Sequence, residues 1–190
     1  MYVKSYTENG KMVRTREGGL WLRMNSRCNH LQLYPSYVGC RTSENFKNFQ
    51  YFAEWCNKQK GFLEKNENGT HWALDKDLLG NGKIYSEDVC VFIPYEINGF
   101  LVNMDKNVRS IPTGVTFDKS RGLYKAKMGE KYNLGRFETY EEAAEVYKVA
   151  KERYAKDLAM KYDEKLDKRV YEYLMSFKVK RNTYEVNQCH

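Results

Sequence analysis

The chain has 190 residues, 42% of them hydrophobic, and carries 32 Lys+Arg against 25 Asp+Glu, a formal charge of +7 at pH 7. That length holds one medium domain or two small ones. No apolar run approaches the ~20 residues of a membrane span, and the polar, charged N-terminus lacks the apolar stretch of a secretory signal, so the expected location is cytoplasmic.

The basic surplus is concentrated. Residues 1–30 hold six basic and two acidic groups, and residues 1–18 read as a basic arm. Residues 31–111 hold nine against ten, residues 112–137 six against two, and residues 138–190 eleven of each. Local basic excess is the electrostatic footprint of phosphate contacts.

Over residues 19–60 the chain places Trp21, Met24 and Cys28, then a turn at Tyr37 and Gly39. Phe46, Phe49, Phe52 or Ala53, and Cys56 then recur every three or four positions, which predicts one amphipathic helix with an aromatic core face. Five cysteines (Cys28, Cys40, Cys56, Cys90 and Cys189) form an odd set without a Cys-x-x-Cys pair. That speaks against a disulfide framework and a zinc ribbon. Cys28, His30 and Cys40 have no specific metal spacing, and the thiols read as reduced and partly buried.

Asn66-Glu67-Asn68-Gly69 resets the chain. A strand is expected over 70–77, a polar loop over 78–88, a strand over 89–93 and a short helix opening on Pro94, whose missing N–H suits a first helical turn. This is a ββα order. With 70–77 extended, Asp75 and Asp77 share a side ~7 Å apart, with His71 on the same side ~13 Å from Asp75. Residues 102–111 are short and polar and read as a linker.

Beyond it, residues 114–117, 123–128 and 132–137 read as three short strands, the first two joined by the turn Lys119-Ser120-Arg121-Gly122. Thr139 with Glu142 is a capping-box signature. Ala143, Tyr147, Ala150 and Tyr154 follow at helical spacing, an apolar stripe suited to packing on a sheet. The other sheet face then carries Lys119, Arg121, Lys125, Lys127 and Arg136, and a ribbon of that width can enter a major groove. From Asp163, the residues Leu166, Val170, Tyr173, Leu174 and Phe177 predict a further helix that packs on a neighbour or makes a homodimer contact.

Two resemblances rest on these residues. Gly114-Val115-Thr116-Phe117, Gly122-Leu123-Tyr124-Lys125-Ala126-Lys127, Tyr132-Asn133-Leu134-Gly135-Arg136-Phe137 and the Thr139 to Tyr147 run resemble the DNA-binding domain of plant ethylene-response factors, which also occurs at the tail of many phage homing endonucleases. The resemblance covers about 40 residues. It implies a double-stranded DNA partner, with Tyr124 joining the five basic residues in contact. Trp21, Met24, Arg27-Cys28, Tyr37-x-Gly39, Phe46, Phe49, Trp55, Leu74-Asp75-Lys76-Asp77, Tyr85-Ser86, Cys90-Val91-Phe92 and Glu96-Ile97-Asn98 resemble a phage HNH-type endonuclease group.

The combined expectation is an α+β chain: an N-terminal ββα-metal (HNH-like) domain over 19–101, a linker over 102–111, a small three-stranded antiparallel sheet packed on a helix over 112–160, and a helical extension over 161–190. The second resemblance implies phosphodiester hydrolysis assisted by Mg²⁺ or another divalent cation, with Asp75, Asp77 and Asn98 as ligands and Asp75, Lys76 and His71 as the catalytic candidates. The family's Asp-His is Asp75-Lys76 here, so its histidine base is missing. Three functions stay open: a DNA endonuclease, a DNA-binding regulator without cleavage, and a phage protein aimed at a host factor.

Overall fold

A computed structural model describes residues 1–102, 114–129 and 132–179. The linker expected over 102–111 lies outside the described residues apart from Val102, as does Cys189. The fold is α+β, with four small sheets among the described residues. The chain divides into two compact units: Met1–Asn98 with Glu164–Val170, and Gly99–Asp163 with Tyr171–His190. No helix among the described residues is long and apolar enough to cross a membrane.

The first unit opens with a hairpin of β1 (Ser5–Glu8) and β2 (Lys11–Arg14), closed at Asn9-Gly10 with both residues at positive φ. Asn-Gly in this position forms the mirror-image turn that matches strand twist. Residues 1–18 are therefore a hairpin and a first helical turn rather than a free arm, and Tyr2 exchanges two 2.8 Å hydrogen bonds with the Gln50 side chain. Helix α1 (Arg16–Asn29) starts where the Thr15 hydroxyl accepts from the Gly18 N–H.

The single helix expected over 46–56 is two, α2 (Glu44–Lys47) and α3 (Phe49–Lys58). Asn48 separates them because its side chain accepts from the Gln50 and Tyr51 N–H groups and caps a new helix. The aromatic face is nevertheless intact: Phe46, Phe52, Ala53 and Cys56 are fully buried, and Phe46 lies 4.9 Å from Trp55 and 5.0 Å from Phe52 between ring centroids. After β3 (Arg41–Thr42), which pairs in parallel with β5 (Ile84–Tyr85), the unit is completed by the antiparallel pair β4 (Ala73–Asp75) and β6 (Val91–Ile93), then α4 (Tyr95–Val102). The polar loop expected over 78–88 thus contains β5. Pro94 sits just before α4, and its carbonyl accepts from the Asn98 N–H.

In the second unit β7 (Val115–Asp118), β8 (Leu123–Met128) and β9 (Tyr132–Phe137) form an antiparallel sheet backed by α5 (Tyr140–Tyr162). Both halves of the Thr139–Glu142 capping box are present. Val115, Ala126, Ala143 and Tyr147 make the buried centre of this layer pair. The buried line on α5 then runs through Lys151, Ala155, Leu158 and Ala159, leaving Ala150 and Tyr154 half-buried. Further on, α6 (Lys168–Met175) buries Val170 and Leu174, with Leu166 and Phe177 also buried on either side of it.

Lys151 is 7% exposed, donates to the Tyr147 hydroxyl at 3.1 Å and faces the Phe100 ring at 5.6 Å, and burial lowers its pKa. The unfolded chain therefore holds the proton more tightly. Wild-type stability should rise with pH from the lowered folded value towards the ordinary ~10.4, while the penalty stays in full at lower pH. Lys151→Met should stabilise the protein at neutral pH by about 1 kcal/mol or more, since Met fills the space without a charge to desolvate. Chemical denaturation of both proteins across pH 7–11 checks this: the wild-type deficit should shrink on the alkaline side.

Candidate functional site

Residues proposed to meet DNA lie on the sheet of the second unit. Alternation along β8 sends Tyr124, Ala126 and Met128 towards α5 and Leu123, Lys125 and Lys127 to the open face. In register, Lys125 lies between Thr116 and Arg136, and Leu123 lies beside Asp118. A bulge between Ala126 and Lys127 pairs Lys127 with Asn133. The open face thus gathers Lys125, Lys127 and Arg136, with Lys119 and Arg121 exposed on the turn at its end. Tyr124 differs from expectation. It packs into the core side, its ring 4.9 Å from Phe117 and 6.0 Å from Tyr140, so its ring is not presented to a ligand on the basic face.

Asp118 organises this surface. Its carboxylate accepts from the Ser120 hydroxyl at 2.6 Å and the Arg121 guanidinium at 3.1 Å, and Arg136 Nε reaches it at 3.4 Å. The Ser120 hydrogen bond and then the two arginines hold its pKa down at about 2. Both guanidiniums are thereby steered to one side of the sheet by a single anion.

In the first unit the expected strand over 70–77 stops at Asp75. The Asp75 carboxylate is the reason: its Oδ1 accepts from the N–H groups of Asp77 at 3.0 Å and Leu78 at 2.8 Å, folding the chain into a turn instead of continuing the ladder. Asp77 therefore does not repeat the side-chain direction of Asp75. Asp75 is 8% exposed, and burial raises its pKa. Lys76 is buried, and its ammonium donates to Asp77 Oδ1 at 2.5 Å and to the Gly82 carbonyl at 2.7 Å, flanked by the rings of Tyr37 and Tyr85. So held, it clips the 76–82 loop. Asn98 stands half-buried on α4.

His71 joins a different group. Its Nδ1 lies 2.5 Å from Arg16 Nη1 and 3.3 Å from the Glu64 carbonyl. The guanidinium can only donate, so the shorter contact makes Nδ1 an acceptor and leaves the proton on Nε2. Burial and then Arg16 lower the His71 pKa, favouring the neutral ring. None of the hydrogen bonds of His71 involves Asp75, Lys76 or Asp77.

That group lines a cavity of about 270 Å³ bounded by α1, the 70–74 segment, Tyr85 and Tyr95. Arg16, Arg23 and Arg27 all contribute to its wall. Their spacing of seven and four residues could have singled them out, since at ~100° per residue they fall within about 40° of one another around the helix. Arg16 is fixed by His71 and by the Trp72 carbonyl at 2.9 Å, with its guanidinium 4.5 Å from the Phe62 ring. Arg27 contacts the Tyr85 hydroxyl at 3.3 Å.

The four described cysteines are free thiols, with Cys28 and Cys40 sulfurs 3.8 Å apart. Comparison with known protein families, curated proteins and solved structures finds no significant match.

Proposed function

We propose that the chain binds double-stranded DNA through the open face of β7–β8–β9 and acts on it as a divalent-cation-dependent endonuclease of the HNH type, with the β4–β6–α4 element as an HNH-like ββα unit. The observation that carries the binding half is the one-sidedness of the sheet. Lys125, Lys127 and Arg136 share the face that α5 leaves open. A helix-backed basic ribbon matches the width of a major groove and the charge of its phosphate walls.

The hydrolytic half rests on an antiparallel strand pair followed by a helix, with a buried carboxylate at the first strand's end. Asp75, Asp77 and Asn98 offer the oxygen donors that Mg²⁺ prefers, so the donor set fits in kind. Asp77 would exchange the Lys76 ammonium for the ion. A bound cation there would polarise the phosphate and stabilise the leaving oxygen. The chain's own residues have distinct parts: Asp75 shapes the turn by accepting from the Asp77 and Leu78 N–H groups, which points its carboxylate at the strand end. Lys76 positions Asp77 and the loop. The same Lys76–Asp77 pair favours a second reading, a DNA-binding regulator without cleavage, because the ammonium already neutralises Asp77. A nicking assay on the source genome, with and without Mg²⁺, separates the two.

Binding itself has a quantitative test. Duplex affinity should fall steeply with salt, with a slope of about −0.9 for each phosphate neutralised. Lys125→Ala with Lys127→Ala should flatten that slope by about two contacts' worth. An unchanged slope in a folded double variant places the DNA surface elsewhere.

A further inference from the structure

The arginine line on α1 has one acidic neighbour, Glu17 in the first turn, whose carboxylate accepts instead from the Asn57 side chain at 2.8 Å. Among the described residues none of Arg16, Arg23 and Arg27 forms an ion pair with a carboxylate. Three guanidiniums on one helical strip repel one another, and Arg16 is half-buried besides. Burial pulls the Arg16 pKa down to about 10; Cys56 and Glu17 oppose the shift and Arg23 adds to it. Such a strip beside a cavity is stabilised when an anion enters it.

The cavity wall narrows the anion's identity. Arg16 is immobilised at one end, Arg27 is half-buried beside Tyr85, and Arg23 is exposed. Around them stand His71, Thr70, Tyr85 and Tyr95. Planar guanidinium forks recognise phosphate oxygens in pairs, and the exposed ring of Tyr95 can meet a sugar or a base, whereas Tyr85 is buried and contributes its hydroxyl contact with Arg27. About 270 Å³ holds one small ligand of that kind rather than a large cofactor.

We propose that the cleft between α1 and the 70–74 segment binds a phosphate ester of nucleotide size, its anion held by Arg23 and Arg27 against the fixed charge of Arg16. The source of that phosphate ester is either a free nucleotide or one nucleotide of a nucleic-acid strand. The proposal concerns the first unit alone and does not depend on the basic sheet.

Calorimetric titration of the full chain with thymidine 3′,5′-bisphosphate, and separately with a five-nucleotide single strand, tests it. Wild type should bind the bisphosphate at a single site. Arg23→Gln should weaken binding about tenfold, as expected for one lost charge-assisted contact, and Arg23→Gln with Arg27→Gln by a hundredfold or more. Lys125→Ala with Lys127→Ala should leave this affinity unchanged, so failure of the sheet to bind duplex DNA would not be mistaken for failure here. Equal affinity for mononucleotide and strand identifies a free nucleotide as the ligand; a strand preference of tenfold or more identifies nucleic acid. Absence of bisphosphate binding at millimolar concentration, or undiminished binding by Arg23→Gln, overturns the proposal. The single variant keeps the test decisive if the double one fails to fold, because Arg23 is exposed and makes no hydrogen bond among the described residues.

Discussion

Gly114→Ala should unfold the sheet of the second unit, or lower its stability by about 3–5 kcal/mol. Two independent costs meet at this residue. Its φ of +126° is a conformation that side-chain-bearing L-residues rarely adopt, and a Cβ there would lie 2.2 Å from the Tyr147 ring. Backbone strain of this kind costs about 1–3 kcal/mol, and forcing an atom into a packed core about 1–3 more. Tyr147 cannot simply retreat, since it belongs to the buried centre between sheet and helix and its hydroxyl accepts from Lys151. Gly122→Ala is the control. Its φ is +66° with no atom within 4 Å of an added Cβ, so only the left-handed backbone penalty of about 1 kcal/mol applies. Thermal melting of the two variants should therefore differ widely. Equal, small losses would mean that Gly114 and Tyr147 do not approach as described.

On the proposed endonuclease reading, Asp75→Asn should abolish most Mg²⁺-dependent cutting while leaving the fold intact. The amide oxygen can still accept from the Asp77 and Leu78 N–H groups, so the turn survives, but the negative charge is gone. A loss of roughly a hundredfold in rate, about 3 kcal/mol in the barrier, is the usual scale for removing such electrostatic help. Asp75→Ala separates chemistry from architecture: it also removes the acceptor from two N–H groups beneath a buried side chain and should cost about 1–3 kcal/mol of stability. Lys76→His is a further probe. It restores a potential base but gives up the clip to Asp77 and Gly82, so both cutting and melting need measuring. If wild type and Asp75→Asn nick source DNA equally with Mg²⁺, hydrolysis does not occur at this turn; if neither nicks it, the binding-protein reading stands.

The second unit was legible where local chemistry is self-contained. The capping box at Thr139, the Lys119–Gly122 turn and the β8 alternation each depend on a few neighbouring residues, and each occurs within a residue of its expected place. Tyr124 enters through the family resemblance, whereas period-two alternation puts it on the same face as buried Ala126. The first unit was harder because side chains there compete with backbone pairing. Asp75 takes the N–H groups that an extended 70–77 strand would have offered, and Asn48 restarts a helix whose apolar spacing runs on unbroken. The Asn9-Gly10 turn, in contrast, is a local signal in the sequence that net charge alone does not reveal. His71 could not be placed from spacing at all, since its partner Arg16 is 55 residues away.

If the basic sheet binds DNA as proposed, Asp118 separates two stages of the encounter. At a distance a duplex feels summed charge, and one carboxylate held among the arginines subtracts from the attraction that accelerates approach. At contact, phosphate oxygens can take over guanidinium hydrogen bonds that Asp118 has already aimed, so little side-chain ordering remains to be done. Arrival is thereby slowed relative to a bare basic face and departure is governed by contacts made after the handover. Lifetime, rather than speed of capture, is the quantity this arrangement favours.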